Sequence, residues 1–443
     1  MKKVLILAYD FPPYVSVGAQ RPYSWLLYFK ENGLCPIVIT RQWDNKFGNH
    51  LDYIAPSISN NIITDVNSFG TVIKTPYFPN LSNKLMLKYG AKKFVILRKI
   101  ISAFFELFQY FFKIGPKSQI YFAAKKYIEE NEVSCIIATG EPFVLFSYAS
   151  LLSRNFKIPW VADYRDPWSQ DKSRGNNFFR KKLDIILEKR IVNTASFVST
   201  VSEFFKSQIQ FSVPSKRIEI IQNGFESENL KAIEGINQFN KCLTIGFVGT
   251  IYKWHPFEIF LKTINEFLEA NPNKNINIRL YGTNLTHEQV SAYTAKYSAL
   301  KERIILFHKL QNIELLKKMA EDNLMLLFNY YSYMGTKIYD YLAVRRKILF
   351  CFKEDKEAQK LKFDYYNMEL INDSEINLQE ELLLETNAGI IIKDSIHLKS
   401  ILHDLYNEFE KDGEIVCNSR GIEKYSRKKH AEIFAKKIKQ ISN

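Results

Sequence analysis

Leu324-Met325-Leu326-Leu327-Phe328, followed after a short polar stretch by Gly335-Thr336-Lys337-Ile338-Tyr339-Asp340-Tyr341-Leu342-Ala343, decides the reading of this chain. Five consecutive apolar residues read as a buried strand, and the second run opens a helix just after it. A helix starting beyond a strand end offers unpaired backbone N–H groups and the positive end of its dipole to whatever sits above the sheet. Lys337 adds a full charge, so Gly335, Thr336 and Lys337 outline an anion site that would fit a phosphate. Lys337 and Asp340 are three residues apart and share a helix face, so one side chain can neutralise a phosphate while the other accepts hydrogen bonds from sugar hydroxyls. A surface ion pair between them is the alternative reading.

The same alternation of strand and helix extends outward. Upstream run Leu243 to Val248, Ile276 to Tyr281 and Ile304 to Phe307, and downstream comes Ile348 to Phe352, each separated by amphipathic stretches. The first half repeats the pattern: Val4 to Ala8, a helix from about Gln20 to Asn32, Ile37 to Thr40, then Cys135 to Thr139, Trp160 to Asp163, Phe197 to Val201 and Ile218 to Ile221. This is the signature of parallel sheets covered by helices, hence an α/β chain of two doubly wound halves. The polar segment Ser227 to Asn240 lacks periodicity and reads as the linker. It divides residues 1–228 from 241–418, and a basic amphipathic helix ends the chain within 419–443.

With 443 residues, two domains are the natural expectation, and 46% hydrophobic residues suffice to bury two cores. Five scattered cysteines, never closely paired, argue against a disulfide framework or a zinc knuckle and fit a reducing cytoplasm. Val4 to Ala8 is too short for a secretory signal and is interrupted by Asp10. The balance of 61 Lys plus Arg against 47 Asp plus Glu, +14, favours polyanionic partners. No zinc finger, RNP-like run or basic zipper is present, so no nucleic acid is expected among them.

About residues 85–127 the alternation is replaced by helical periodicity. Leu97, Ile101, Phe104, Phe108 and Phe111 share one face, with Arg98, Ser102, Glu106, Gln109 and Lys113 away from it. The charges rule out a spanning helix. An interfacial helix on anionic lipid, ringed by Lys84, Lys88, Lys92, Lys93, Lys117, Lys125 and Lys126, and a core helix packed on the sheet both fit the pattern.

Ligands of open parallel sheets bind beyond the carboxyl ends of the strands, so the loops there carry the candidate chemistry. After the first strand come Asp10-Phe11-Pro12-Pro13 and Gly18-Ala19-Gln20-Arg21; Gly18 admits a ligand to a helix N-terminus and Arg21 can reach an anion or a carboxylate. Asp163-Tyr164-Arg165-Asp166 clusters two carboxylates around a guanidinium. Asp163 or Asp166 could take an acceptor proton or hold a sugar hydroxyl while Arg165 orients them, or the cluster could be a staple holding the loop. Gly249 and Thr250 end a strand and offer backbone donors to a diphosphate, with Lys253 adding charge. His255 reads as a helix-entry residue. No histidine pair has ligand spacing, so no protein-held metal is expected, and neither a P-loop nor a complete G-x-G-x-x-G is present.

Jointly, Phe11-Pro12-Pro13 with Gly18 to Arg21, Ile158 to Trp168, Val201-Ser202-Glu203, Asn223-Gly224-Phe225, Gly246 to Thr250 and Gly335 to Ala343 resemble the retaining nucleotide-sugar glycosyltransferases of the GT-B fold, in the family-four group that builds bacterial surface polysaccharides such as lipopolysaccharide or capsule. The resemblance implies two Rossmann-like domains facing across a cleft, the donor held by the second and the acceptor by the first, with the last helix crossing back to the first. It places Gly249, Thr250, Lys253 and Lys337 near the donor diphosphate, Asp340 by the ribose or transferred sugar, and Gly282, Thr283, Lys309 and Leu310 around the base, with Gly18 closing over the phosphate. Two departures stand out: Asp340 where the family usually has Glu, and Tyr252-Lys253-Trp254-His255 where it commonly carries an Arg and a Lys. The implied activity is transfer of a sugar, with retention, from a nucleoside-diphosphate sugar to a glycan or polyprenyl-linked acceptor at the inner face of the cytoplasmic membrane, without cofactor or divalent metal. A sugar-nucleotide epimerase or hydrolase of the same fold, and a non-catalytic sugar-nucleotide-binding subunit, are the rival readings.

Overall fold

The computed structural model describes residues 1–43, 51–170, 178–330, 333–366 and 377–442. They form two compact units, one of Met1–Asn223 with Arg427–Asn443 and one of Gly224–Ser426. The first unit runs β1 (Lys2–Leu7), α1 (Val17–Tyr28), β2 (Leu34–Arg41), β3 (Ile63–Val66), β4 (Thr71–Thr75), α2 (Leu81–Tyr89), α3 (Val95–Phe108), α4 (Ser118–Glu130), β5 (Cys135–Gly140), α5 (Val144–Phe156), β6 (Trp160–Tyr164), α6 (Phe178–Val192), β7 (Phe197–Thr200), α7 (Glu203–Ser212) and β8 (Ile218–Ile220). The second runs β9 (Leu243–Val248), α8 (Phe257–Ala270), β10 (Ile276–Tyr281), α9 (His287–Lys296), β11 (Ile304–Phe307), α10 (Asn312–Glu321), β12 (Leu324–Phe328), α11 (Lys337–Val344), β13 (Lys347–Cys351), α12 (Lys356–Tyr366), α13 (Leu378–Thr386), β14 (Gly389–Ile391) and α14 (Ser395–Asp412), after which α15 (Arg427–Ile441) rejoins the first unit.

The first sheet has the order β3-β4-β2-β1-β5-β6-β7-β8. All its pairings are parallel except β3 with β4. The sequence reading gives no strand at β3, β4 or β14, and β3 could not be announced by an apolar pattern, since all four of its residues are exposed. Along β1 the side chains alternate: Val4 and Ile6 face a cluster that includes Trp25 of α1, Phe29 just after it, and Phe434 and Ile438 of α15. Phe434 is fully buried, its ring 5.1 Å from Trp25 and 6.1 Å from Phe29. The last helix therefore completes one layer of the first unit, because without it these rings would lie open to water.

The second sheet runs β11-β10-β9-β12-β13-β14, all parallel. Leu324, Leu326 and Phe328 of β12 point to the face covered by α8 and α14, and Met325 and Leu327 to the face covered by α10, α11 and α13. Both faces are dry, which is why this strand reads as a continuous apolar run. The segment expected as a free linker is not free: Leu230, Ile233 and Ile236 pack against the second core. Their apolar spacing is too short to register as a helix, and Ser227–Ala232 forms a 3-10 turn.

Residues 81–130 form three helices. None of the residues of α3 is buried, whereas Ile120, Tyr121, Ala124 and Ile128 of α4 are, so the core-helix reading holds for α4 and not for α3. Ile96 is 77% and Ile100 62% exposed, and Phe104, Phe111 and Phe112 are also exposed. Aromatic neighbours stack along the surface, Phe104 on Phe108 at 4.6 Å. Of the surrounding lysines, Lys125 and Lys126 pair with Glu129 and Glu130 of their own helix, and Lys117 lies 5.9 Å from the Tyr9 ring with its ammonium disfavoured by burial. Lys84, Lys88, Lys92, Lys93 and Lys99 remain exposed around the apolar strip. No described helix is long and apolar enough to cross a membrane.

Candidate functional site

In each sheet the strand order reverses beside the first strand, between β1 and β5 in one unit and between β9 and β12 in the other. Such switch points open crevices at the carboxyl ends of the strands, where open α/β sheets take ligands. The candidate residues gather at these two places.

In the first unit the charges are largely consumed by the fold. Asp163, next to last in β6 and fully buried, receives Arg21 through Nε (3.0 Å) and Nη2 (2.7 Å), Thr139 Oγ1 (2.9 Å) and Ser199 Oγ (2.7 Å). Arg21 also donates to the Ile221 carbonyl at 2.6 Å. Asp163 and Arg21 are thus a staple joining α1, β5, β6, β7 and the end of β8. Arg165, expected to orient the neighbouring carboxylates, turns two of its donors to the backbone. It lies beyond the end of β6, and its Nε and Nη2 donate to the carbonyls of Gly140 (2.8 Å) and Glu141 (2.6 Å). Asp166 is exposed.

The remaining carboxylate there is Asp10, directly after β1, to which sequence reading gave no role. Its Oδ2 accepts from Ser16 Oγ at 3.0 Å and lies 3.8 Å from Arg165 Nη1, while Oδ1 is buried without a partner among the described residues. Desolvation raises its pKa above the ordinary value, against the pull of Arg165 and Ser16. Gly18 is required beside them: a Cβ there would collide with the Arg165 guanidinium. Its amide donates to Ser16 Oγ at 3.1 Å, the N-cap of α1.

In the second unit the expected residues converge. Gly249 has φ +80°, and a Cβ on it would stand 3.1 Å from Lys337 Cε. Lys337 Nζ lies 3.4 Å from the Thr250 carbonyl and 4.5 Å from the Phe247 ring centroid. Burial pulls its pKa down to about 7. Lys337 opens α11, whose N-cap Thr336 makes no side-chain capping hydrogen bond, and Asp340 sits in the first turn. The preceding loop is braced by Gln379 of α13, which accepts from the Tyr330 amide (2.9 Å) and donates to the Met334 carbonyl (2.8 Å). Gly335, φ +68°, is the exposed hinge between brace and helix. Thus a lysine, a helix end without a side-chain cap and a glycine turn face one crevice, which is the chemistry of phosphate binding.

Gly282, φ +57°, follows β10, and a Cβ on it would lie 3.4 Å from Lys309 Cα, so the loops holding Thr283 and Leu310 run side by side one strand further out. Tyr281 stacks on Phe307 beneath them at 4.9 Å. Lys253 is exposed in the β9–α8 loop.

Residues 37–229 match the model of Glycosyltransferase Family 4. No curated protein matches the sequence. Solved structures match over the full length at low identity: a sucrose-phosphate synthase from Thermosynechococcus elongatus (TM-score 0.57, 13% identity, 100% of this chain and 98% of the other) and a trehalose-6-phosphate structure from E. coli bound with UDP-2-fluoro glucose (0.57, 11%, 99% and 99%). A glycosyltransferase from Rickettsia africae is similar as well (0.51, 12%, 99% and 98%). With a Glycosyltransferase Family 4 match over residues 37–229 and the fold of these proteins over its full length, the chain has the two-unit α/β architecture of the GT-B glycosyltransferases.

Proposed function

We propose that the protein transfers a sugar, with retention, from a nucleoside-diphosphate sugar seated at the β9/β12 crevice to a glycan or polyprenyl-linked acceptor in surface-polysaccharide assembly. The observation that carries this is the meeting of Gly249, Thr250 and Lys337 at a switch point. The leaving diphosphate gathers negative charge as the glycosidic bond breaks, and an ammonium beside a helix N-terminus stabilises that charge where it develops. Lys337 supplies the charge without a divalent ion. Asp340, in the same first turn, accepts from the sugar or ribose hydroxyls. The acceptor attacks the same face of the anomeric carbon that the diphosphate leaves.

The acceptor side draws support from α3. An exposed apolar strip edged by five exposed lysines suits an anionic bilayer, with rings entering the interface and ammonium groups meeting headgroups. The protein then works as a peripheral enzyme on the cytoplasmic face, where polyprenyl carriers are held. Incubation with a panel of nucleotide sugars and a polyprenyl-linked glycan tests the whole reading. A glycosylated lipid with the donor's anomeric configuration supports it; free sugar or an epimerised nucleotide would replace it with a hydrolase or epimerase.

A further inference from the structure

His255 lies in the loop that leaves β9, just before α8, and is 4% exposed. Its Nδ1 accepts a hydrogen bond from the Tyr252 amide at 3.2 Å, and its own amide donates to the Tyr252 carbonyl at 2.9 Å. With Nδ1 serving as acceptor, the ring proton of the neutral imidazole sits on Nε2. That atom is buried and has no hydrogen-bond partner among the described residues. A buried N–H left unmet costs about 1–3 kcal/mol, so such a group in a well-packed site calls for a reason.

Its surroundings supply one. The ring is packed among Phe247, Trp254, Phe328 and Tyr330, at the carboxyl ends of β9 and β12. Lys337 lies over the same Phe247 ring, 4.5 Å from its centroid. Lys362 is buried nearby, donating to the Tyr330 carbonyl at 2.9 Å and lying 5.5 Å from the Trp254 ring centroid. Burial, reinforced by both ammonium groups, holds the imidazole neutral down to about pH 3. A neutral ring among cations cannot serve as a further positive charge; what it offers is one directed N–H.

We propose that His255 is a ligand of the donor nucleotide, its Nε2–H donating to a diphosphate oxygen that Lys337 holds from the other side. This deepens the nucleotide-sugar reading above and rests on it. A single flexible lysine attracts a phosphate but leaves it free to turn, whereas an imidazole fixed by its own backbone bond defines a direction. The anion enters as the long Lys337 side chain swings aside from Phe247, and the orphan donor is then satisfied.

The test uses calorimetric titration of the full chain with UDP, GDP, ADP and dTDP, comparing wild type, His255→Gln, His255→Phe and Lys337→Ala, each checked by its melting temperature. For whichever nucleotide binds, His255→Phe should weaken affinity about ten- to hundred-fold at an unchanged melting temperature, since hydrogen bonds to charged groups are of that strength. His255→Gln, which keeps an N–H at the same reach, should stay within about three-fold. In wild type the Nε2–H resonance of His255 should move downfield on nucleotide addition, a readout that survives any failure of the Phe variant to fold. Undiminished binding by His255→Phe, or an unmoved Nε2–H resonance while nucleotide binds, overturns the inference and leaves the nucleotide site at Lys337 standing. No binding of any nucleotide by wild type overturns the functional reading and this inference together.

Discussion

The two switch points of this molecule are built alike and used differently. Between β1 and β5 most of the strong charge is matched inside the fold: Asp163 takes hydrogen bonds from Arg21, Thr139 and Ser199, and Arg165 donates to two carbonyls, although one oxygen of Asp10 has no partner among the described residues. Between β9 and β12 the strongest group, Lys337, has among the described residues only the Thr250 carbonyl at 3.4 Å as a hydrogen-bond partner, and a buried imidazole N–H has none. Polar groups that satisfy one another hold a fold together, whereas groups left unmet at a sheet's carboxyl edge are poised for a ligand. A cluster of ionisable residues in the sequence does not distinguish the two cases. The geometry does.

Removing one partner from each crevice breaks the comparison most severely. Asp163→Ala strands Arg21 without its carboxylate and should destabilise the first unit by about 3–5 kcal/mol, read as a lower urea midpoint. An unchanged midpoint would show that the staple contributes nothing. Lys337→Ala should do the reverse, leaving the urea midpoint in place while lowering kcat by about 10²–10³, as expected for loss of a group that stabilises developing charge. Full turnover in that variant would remove the phosphate role.

Acidity sharpens the contrast further. The Lys337 ammonium, lowered to about 7 by burial, is charged below that pH and neutral above it. A bound diphosphate favours the charged form, so nucleotide affinity should fall by about ten-fold between pH 6.5 and 8.5, with proton uptake on binding at the upper end. Calorimetry in buffers of different ionisation enthalpy measures both; flat affinity and no proton uptake would contradict it. The same titration in EDTA should be unaltered if lysine charge takes the part of a divalent ion, and a loss of binding there would assign the phosphate to a metal instead. A smaller effect is expected on the first unit. Gly18→Ala must displace the Arg165 guanidinium from Asp10 and from the Gly140 and Glu141 carbonyls, costing about 1–2 kcal/mol. A midpoint equal to wild type would mean that Arg165 moves without penalty.

The second unit was the more legible in the sequence because its central strands are apolar on both faces and two of its strands, β9 and β10, run into glycines. Leu324 to Phe328 and Leu243 to Val248 announce themselves, and Gly249 and Lys337 follow from where those strands stop. The Arg21–Asp163 bond joins residues 142 positions apart, a separation no local pattern reveals, so Arg165 looked the natural partner of the carboxylates. Strand β3 is exposed along its whole length and antiparallel, and so lacked any apolar signal. The stripe on α3 identified an amphipathic helix but not what its face meets, since periodicity is the same against a core or a bilayer. His255 carried no signal because a lone histidine has none; its meaning comes from an atom left without a partner.

Hydrogen exchange on the whole protein with and without the nucleoside diphosphate that binds tests the central claim most directly. Ligation at the β9/β12 crevice should slow exchange most strongly at Gly249–His255 and Gly335–Asp340, including the amides that open α11. Unchanged exchange in both segments, with nucleotide bound, would contradict the assignment of the donor phosphate to Lys337 and its helix end.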